Sequence, residues 1–138
     1  MTASAKNSAR EASAGFSFFN DTKAKMPRLA FARMKNAILG AHYELSVAIV
    51  GTAKMRELNR RWRDKDEPTD ILSFPLSKIE GEIYINPFVA MKEAKKFDRS
   101  YDNFILFLFI HGLVHLKGYD HSSTMESIEK KFRKKFGI

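Results

Sequence analysis

Three of the four histidines in this chain lie within the eleven residues 111–121. His111 and His115 are four residues apart, so on a helix both imidazoles project from the same face, one turn apart. Gly118 suits the left-handed residue that ends a helix, and the turn brings His121 back toward the pair. Three imidazoles with a water in the fourth position are typical of catalytic rather than structural zinc. The spacing therefore predicts one Zn²⁺ ion held by three histidines and a water.

The ligand set does not fix the metal, because three imidazoles also suit nickel and copper. A bound zinc ion could lower the pKa of its water toward roughly 7 and produce a hydroxide nucleophile. A buried helix that carries histidines for other reasons is the alternative, and the spacing disfavours it. Asp120 is a candidate for orienting a ligand imidazole. It could equally be a turn residue that follows Gly118.

The same helix resembles the His-Glu-x-x-His pattern of metalloproteases, except at one position. Gly112 stands where the general-base glutamate of that pattern would be. A small metalloprotease therefore remains only a third hypothesis. The sequence does not identify another general base.

A second informative stretch, residues 59–70, is rich in charged side chains. Arg63 lies near a predicted helix end, where a guanidinium can grip phosphate with two hydrogen bonds and stabilise charge on a phosphodiester. A solvated helix end with mixed charges is the alternative. On spacing alone, that alternative is favoured.

The composition indicates a polyanionic partner. The 138 residues include 24 lysines and arginines against 16 acidic residues, a net charge of +8. Nucleic acid is the first partner class to consider and an anionic membrane surface the second, although a protein that is merely basic is also possible. The most apolar stretch, Phe104 to Leu116, is short of the roughly 20 residues that a membrane span needs, so no membrane partner is expected. No cysteine is present, which fits the cytoplasmic location that we expect.

The pattern of elements predicts one α+β domain over residues 15–138, with about four short strands and about five helices. Residues 1–14 are expected to form a disordered tail. Residues 68–75 and 82–85 are expected to form a hairpin near a sheet edge. Asp102 is expected to cap the long helix that carries the histidines, and residues 123–126 fit a capping box for the last helix. The basic residues of that last helix, Arg133 included, are expected on its solvated face.

Several motifs together resemble the YbeY family. The stretch His111 to His121 closely resembles the family signature, which is a histidine, three residues and then His-Leu-x-Gly-Tyr-Asp-His. Residues 58–59 and 62–66 resemble the second block of the family. Residues 68–75 resemble its Pro-Thr-Asp-Val-Leu-Ser-Phe-Pro, and residues 81–83 its Gly-Asp-Ile. The chain departs from the family at Asp64, where glycine is frequent and where a negative charge now stands beside Arg63.

The resemblance implies a metallohydrolase-like α+β fold and a single-strand-specific endoribonuclease. It implies roles in ribosomal RNA processing, notably at the 3′ end of 16S rRNA, and in ribosome biogenesis and quality control. The implied partners are single-stranded RNA, rRNA and the small ribosomal subunit with its assembly proteins. By position, His111, His115 and His121 would bind the metal, and Arg63 would be the catalytic or RNA-contacting arginine. The alternative hypothesis is a non-catalytic RNA-binding assembly factor in which the metal serves only the fold.

Overall fold

The computed structural model describes residues 9–13, 15–119 and 122–138. Within them, one mixed sheet of five strands is covered by five helices, which confirms the α+β class. The strands are β1 (Ala9–Ser13), β2 (Phe16–Asn20), β3 (Glu44–Ile49), β4 (Ile71–Ser77) and β5 (Glu80–Ile85). The helices are α1 (Arg28–Leu39), α2 (Thr52–Arg63), α3 (Pro87–Lys96), α4 (Tyr101–Leu116) and α5 (Ser123–Phe136). The strand order across the sheet is β1-β2-β3-β5-β4.

The centre of the sheet consists of three parallel strands, because β3 pairs in parallel with both β2 and β5. Parallel neighbours need a crossover connection, and α1 supplies it between β2 and β3. Every second residue of β3 is buried, since Leu45, Val47 and Ile49 are each no more than 2% exposed. This face of the sheet therefore forms one wall of the hydrophobic core.

Strands β4 and β5 form the predicted antiparallel hairpin, with Ile71 opposite Ile85. The hairpin places β4 at the edge of the sheet, as expected. An edge position accommodates Pro75, because proline has no backbone N–H to donate to a neighbouring strand. The ladder is irregular between Pro75 and Ser77.

Helix α4 is the core helix of the fold, and it buries nine residues between its two ends. Its Phe109 ring lies against Phe31 of α1, with the ring centroids 4.0 Å apart. The capping residue differs from the prediction: Ser100, rather than Asp102, accepts a hydrogen bond from the backbone N–H of Asn103. None of the helices in the described ranges is long and apolar enough to cross a membrane.

The cap of α5 also differs from the prediction by one residue. Ser122 is the N-cap, and its hydroxyl accepts a hydrogen bond from the backbone N–H of Met125 at 3.2 Å. Serines stand at both 122 and 123, and either can cap a helix. The capping-box pattern indicated Ser123 because Glu126 stands three residues after it.

The N-terminal segment differs from the expected disordered tail at residues 9–13. These residues form β1, which pairs antiparallel with β2 so that Ala9 lies opposite Asn20 and Ser13 opposite Phe16. Backbone pairing along the open edge of β2 does not depend on strong strand-forming side chains, which explains why composition did not indicate it. The sheet consequently has five strands rather than about four. Residues 1–8 and 14 of the predicted tail lie outside the described residues.

Candidate functional site

A cleft lies between the C-terminal part of α4, the edge strand β4 and the end of α2. Its volume is about 330 Å³. Its walls are formed by Arg63, Ile71, Ser73, Phe74, His111 and His115. The fold thus brings the arginine singled out from the sequence into one cleft with two of the three histidines.

Both histidines of α4 are held through the same ring nitrogen. The Nδ1 atom of His111 lies 2.9 Å from Oε2 of Glu129, and the Nδ1 atom of His115 lies 3.1 Å from the carbonyl oxygen of Tyr119. Histidines that bind metals through one ring nitrogen characteristically donate the other N–H to a carboxylate or a backbone carbonyl. Both contacts therefore fit imidazoles oriented to bind a metal through Nε2.

The other two predicted site residues, His121 and Asp120, lie outside the described residues. Across residues 15–119 and 122–138, no group of three side chains of the metal-binding types comes together. The turn that leads to His121 begins as predicted, because Gly118 has a φ of 110° and donates its backbone N–H to the carbonyl of His115. Zinc and its third histidine ligand therefore remain predictions.

Glu129 is the site residue that the sequence did not reveal. It is only 4% exposed, and its second oxygen, Oε1, lies 3.5 Å from Nη1 of Arg133. The Arg133 side chain is 13% exposed and its guanidinium lies 5.2 Å from the centre of the Phe107 ring. The expectation that Arg133 belongs to the solvated face was therefore wrong, because a buried carboxylate and an aromatic ring hold it inward. A glutamate on the apolar stripe of α5, four residues before an arginine, was the available signal.

Gly112 allows α4 to approach β4 and β5 closely. A Cβ atom at this position would lie 2.8 Å from Oγ of Ser73, 3.0 Å from Cδ1 of Ile71 and 3.2 Å from Cδ1 of Ile83. A glutamate there would have to displace these side chains. The packing thus adds a steric reason to the sequence argument against a metalloprotease.

Replacing Gly112 by glutamate is expected to destabilise the protein by at least about 2 kcal/mol, through overpacking and burial of a charge. Chemical unfolding measures the change. The matched control is Gly51→Glu, since a Cβ at Gly51 meets no atom within 4 Å. Equal stability of the two variants would contradict the proposed packing constraint.

Arg63 is the last residue of α2, and its position is fixed by the way that helix ends. Asp64 adopts the left-handed conformation with a φ of 57°, which explains why glycine is frequent there in the family that the sequence resembles. The loop that follows is tied back to the helix by Asn59, which is 3% exposed and donates from Nδ2 to the carbonyl of Glu67 at 2.8 Å. The helix end that carries Arg63 is therefore anchored.

A second cavity, of about 490 Å³, shares the side chains of Ile71 and His111 with the cleft. The carboxyl group of Asp70 lines it. Burial, reinforced by the negative charge of Glu93, raises the pKa of the Asp70 carboxyl above its usual range. A carboxylate desolvated beside a cleft can mark a functional region, although ion-pair networks perturb pKa values as well.

Asp70 is expected to make stability depend on pH. The Asp70 carboxyl group binds a proton more tightly in the folded protein than in the unfolded chain. Stability is therefore lost as the pH rises from about 3.9, the ordinary pKa of aspartate, through the raised pKa of the folded state. Asp70→Asn removes this titration, so the stability of the variant relative to wild type should increase as the pH rises through this range. Urea unfolding between pH 4 and 7 measures the difference, and a difference that stays constant with pH would exclude the effect.

The comparisons with known proteins agree with the resemblance seen in the sequence. The family described as Endoribonuclease YbeY matches residues 17–137. Endoribonuclease YbeY from Aquifex aeolicus is 44% identical over 96 residues, which are 65% of this chain and 63% of the relative. The Thermotoga petrophila protein of the same name is 33% identical over 122 residues, covering 87% of this chain and 77% of the relative.

A solved structure shows the same fold. The solution structure of TM1509 from Thermotoga maritima superposes with a TM-score of 0.62 at 30% sequence identity, covering 83% of this chain and 85% of that one. The matched region spans less than two thirds of the Aquifex relative, at 63% of its length. The family match nevertheless covers residues 17–137, nearly all of the described structure. This chain belongs to the Endoribonuclease YbeY family.

Proposed function

We propose that this protein is a metal-dependent endoribonuclease that cleaves single-stranded RNA. One observation carries the proposal: Arg63 shares a cleft with His111 and His115, and both imidazoles are held through Nδ1. A cation that can contact phosphate thus lies beside two side chains suited to bind a metal. Membership of a family named for endoribonuclease activity supports the choice of RNA as substrate.

The residues present fit a zinc site. His111 and His115 would bind Zn²⁺, or Ni²⁺ or another divalent metal in its place, with His121 as the proposed third ligand. When bound, such an ion supplies a Lewis acid for phosphodiester hydrolysis. Glu129 and the Tyr119 carbonyl fix the direction in which the two imidazoles point. Asp120 is proposed as a further orienting partner.

Arg63 would contact the scissile phosphate and neutralise the charge that develops on it in the transition state. Its guanidinium can donate two parallel hydrogen bonds to phosphate oxygens. The net charge of +8 would attract the RNA backbone over a longer range, with an affinity that falls as salt is added. The anchored end of α2 limits the conformational entropy lost when Arg63 engages the substrate.

We place this activity in ribosomal RNA processing, including maturation of the 3′ end of 16S rRNA, and in ribosome biogenesis and quality control. The proposed partners are rRNA and the small ribosomal subunit with its assembly proteins, in the cytoplasm. The basic composition and the family name support an RNA substrate, and the ribosomal setting is what the resemblance of the sequence motifs implies. The competing hypothesis, an RNA-binding assembly factor with a structural metal, uses the same charge but requires no cleavage.

Zinc content and RNA cleavage should be measured on wild type, His115→Ala and the control His42→Ala, whose side chain is exposed outside the cleft. Wild type and His42→Ala should each hold about one zinc per chain and cleave a single-stranded RNA. His115→Ala should lose the metal and at least about 90% of the cleavage, since an open site with three protein ligands loses one of them. Equal cleavage by all three would contradict the proposal. Zinc binding without any cleavage by wild type would favour the assembly factor.

A further inference from the structure

The 490 Å³ cavity beside the cleft combines aromatic rings with carboxylates, in a protein that is basic overall. The rings belong to Phe97, Phe104 and Phe107. The carboxylates that accompany them belong to Asp70, Glu93, Glu126 and Glu129. Of this lining, the proposed binding of metal and phosphate uses His111 and its partner Glu129, and it leaves the aromatic rings and the other carboxylates without an assigned role.

Phe97 gives the cavity a flat apolar surface. Its side chain is 53% exposed, although it lies at the end of α3 against two other rings. The ring of Phe104 is nearly parallel to it, with centroids 5.3 Å apart and an interplanar angle of 25°, and Phe107 lies at 5.9 Å. Phe104 is 1% exposed, so it supports Phe97 from the core. An aromatic ring held in this way is a platform on which another planar ring can stack.

The carboxylates select what can stack there. The carboxylates of Asp70 and Glu93 can accept hydrogen bonds, although Oε2 of Glu93 already lies 2.9 Å from Nζ of Lys96. Their negative charge makes the sugar–phosphate backbone a poor occupant. The polar edge of a nucleobase carries N–H donors that carboxylate oxygens can accept, as proteins do when they read single-stranded RNA. Guanine presents two such donors side by side, N1–H and N2–H. Uracil presents one, N3–H, flanked by two carbonyl oxygens that a carboxylate repels.

The two depressions lie side by side, which suits one strand of RNA. His111 and Ile71 line both of them, so they form the wall between the cleft and the cavity. A strand whose phosphate lies beside Arg63 can therefore place an adjoining base in the cavity. The position of the cavity beside the cleft, the exposed ring and the carboxylates favour the same occupant.

We propose that this cavity is a nucleobase subsite, in which Phe97 stacks on a base next to the scissile phosphate while Asp70 and Glu93 accept hydrogen bonds from its edge. Guanine is the favoured base and uracil the least favoured. The subsite determines which sequences are cut. The assignment of the base to a substrate strand rests on the proposed ribonuclease function, but occupancy of the cavity can be measured without cleavage.

The test is an NMR titration of the full chain, with labelled phenylalanine rings, against guanosine and against uridine. Nucleosides lack phosphate, so neither the metal nor Arg63 attracts them by charge. Guanosine should shift the Phe97 and Phe107 signals and bind wild type about 5- to 150-fold more tightly than it binds Phe97→Ala, which is the fold-change that corresponds to stacking of about 1–3 kcal/mol per base. The control is Phe88→Ala on the same helix, 49% exposed and outside the cavity lining.

Guanosine binding that Phe97→Ala weakens and Phe88→Ala leaves unchanged supports the subsite. Equal binding of guanosine and uridine overturns the proposed recognition by carboxylates, and no shift of the ring signals overturns the subsite altogether. Cleavage of oligonucleotides that differ only in the bases beside the cut then separates the two proposals. Cleavage that does not depend on those bases would contradict the subsite but not the ribonuclease function. Nucleoside binding without any cleavage would contradict the ribonuclease function but not the subsite.

Discussion

Reversing the charge of Arg63 is expected to reduce RNA cleavage by at least about 100-fold, the range seen when one donor to a transition-state charge is removed. The effect on folding should be small. Arg63 is an exposed residue at the end of α2, and an acidic side chain at a helix C-terminus costs only about 0.3–1 kcal/mol. Single-turnover cleavage of a labelled single-stranded RNA and thermal unfolding, on the same preparations of wild type and Arg63→Glu, measure the two effects.

Arg61→Glu is the matched control for this experiment. Arg61 is also exposed in the last turn of α2, so its reversal makes the same change in net charge near the same helix end. It does not belong to the cleft lining, and it lies 3.8 Å from Glu57 on its own helix. Arg61→Glu should lower cleavage only through weaker long-range attraction, an effect that added salt diminishes. If the two reversals lowered cleavage equally, Arg63 would be part of a diffuse basic surface rather than of the site.

Local patterns in the sequence predicted much of the fold because they depend on neighbours a few residues apart. The alternation of Leu45, Val47 and Ile49 indicated β3, and the spacing of His111 and His115 indicated one face of a helix. The sheet order depended on longer-range contacts. After α2 the chain forms β4 and then β5, and it is β5, not the nearer β4, that pairs in parallel with β3. The composition of the two hairpin strands does not indicate which of them pairs with β3.

The residues of the candidate site also differ in whether the sequence revealed them. Arg63 lies in a stretch that was singled out from the sequence. The structure places it in one cleft with two histidines, of which the nearer along the chain, His111, is 48 residues away. Glu129 escaped notice because its contact with His111 spans 18 residues and joins two helices. On α5 alone, Glu129 looks like one more charged residue beside Lys130. Only the packing of α5 on α4 shows that its carboxylate faces inward.

Glu129 is the second residue whose replacement should have a large effect, and two substitutions separate its two contacts. Glu129→Gln keeps the size and an acceptor oxygen but removes the negative charge opposite His111, so zinc affinity should fall by about 10- to 100-fold. Glu129→Ala also leaves the guanidinium of Arg133, whose side chain is 13% exposed, without its buried partner. Loss of one partner of such a pair is expected to cost about 3 kcal/mol of folding stability.

Glu126→Gln is the control for both substitutions, because Glu126 also lies 3.5 Å from Arg133 but its side chain is 68% exposed. Competition with a chelating dye measures zinc affinity, and chemical unfolding measures stability. We expect Glu126→Gln to match wild type in both, and Glu129→Gln to lose zinc affinity while retaining more stability than Glu129→Ala. If Glu129→Gln bound zinc as tightly as wild type, the carboxylate would support only the packing of α5 on α4. An affinity loss confined to Glu129 would instead show that the glutamate missed in the sequence orients a ligand of the proposed metal site.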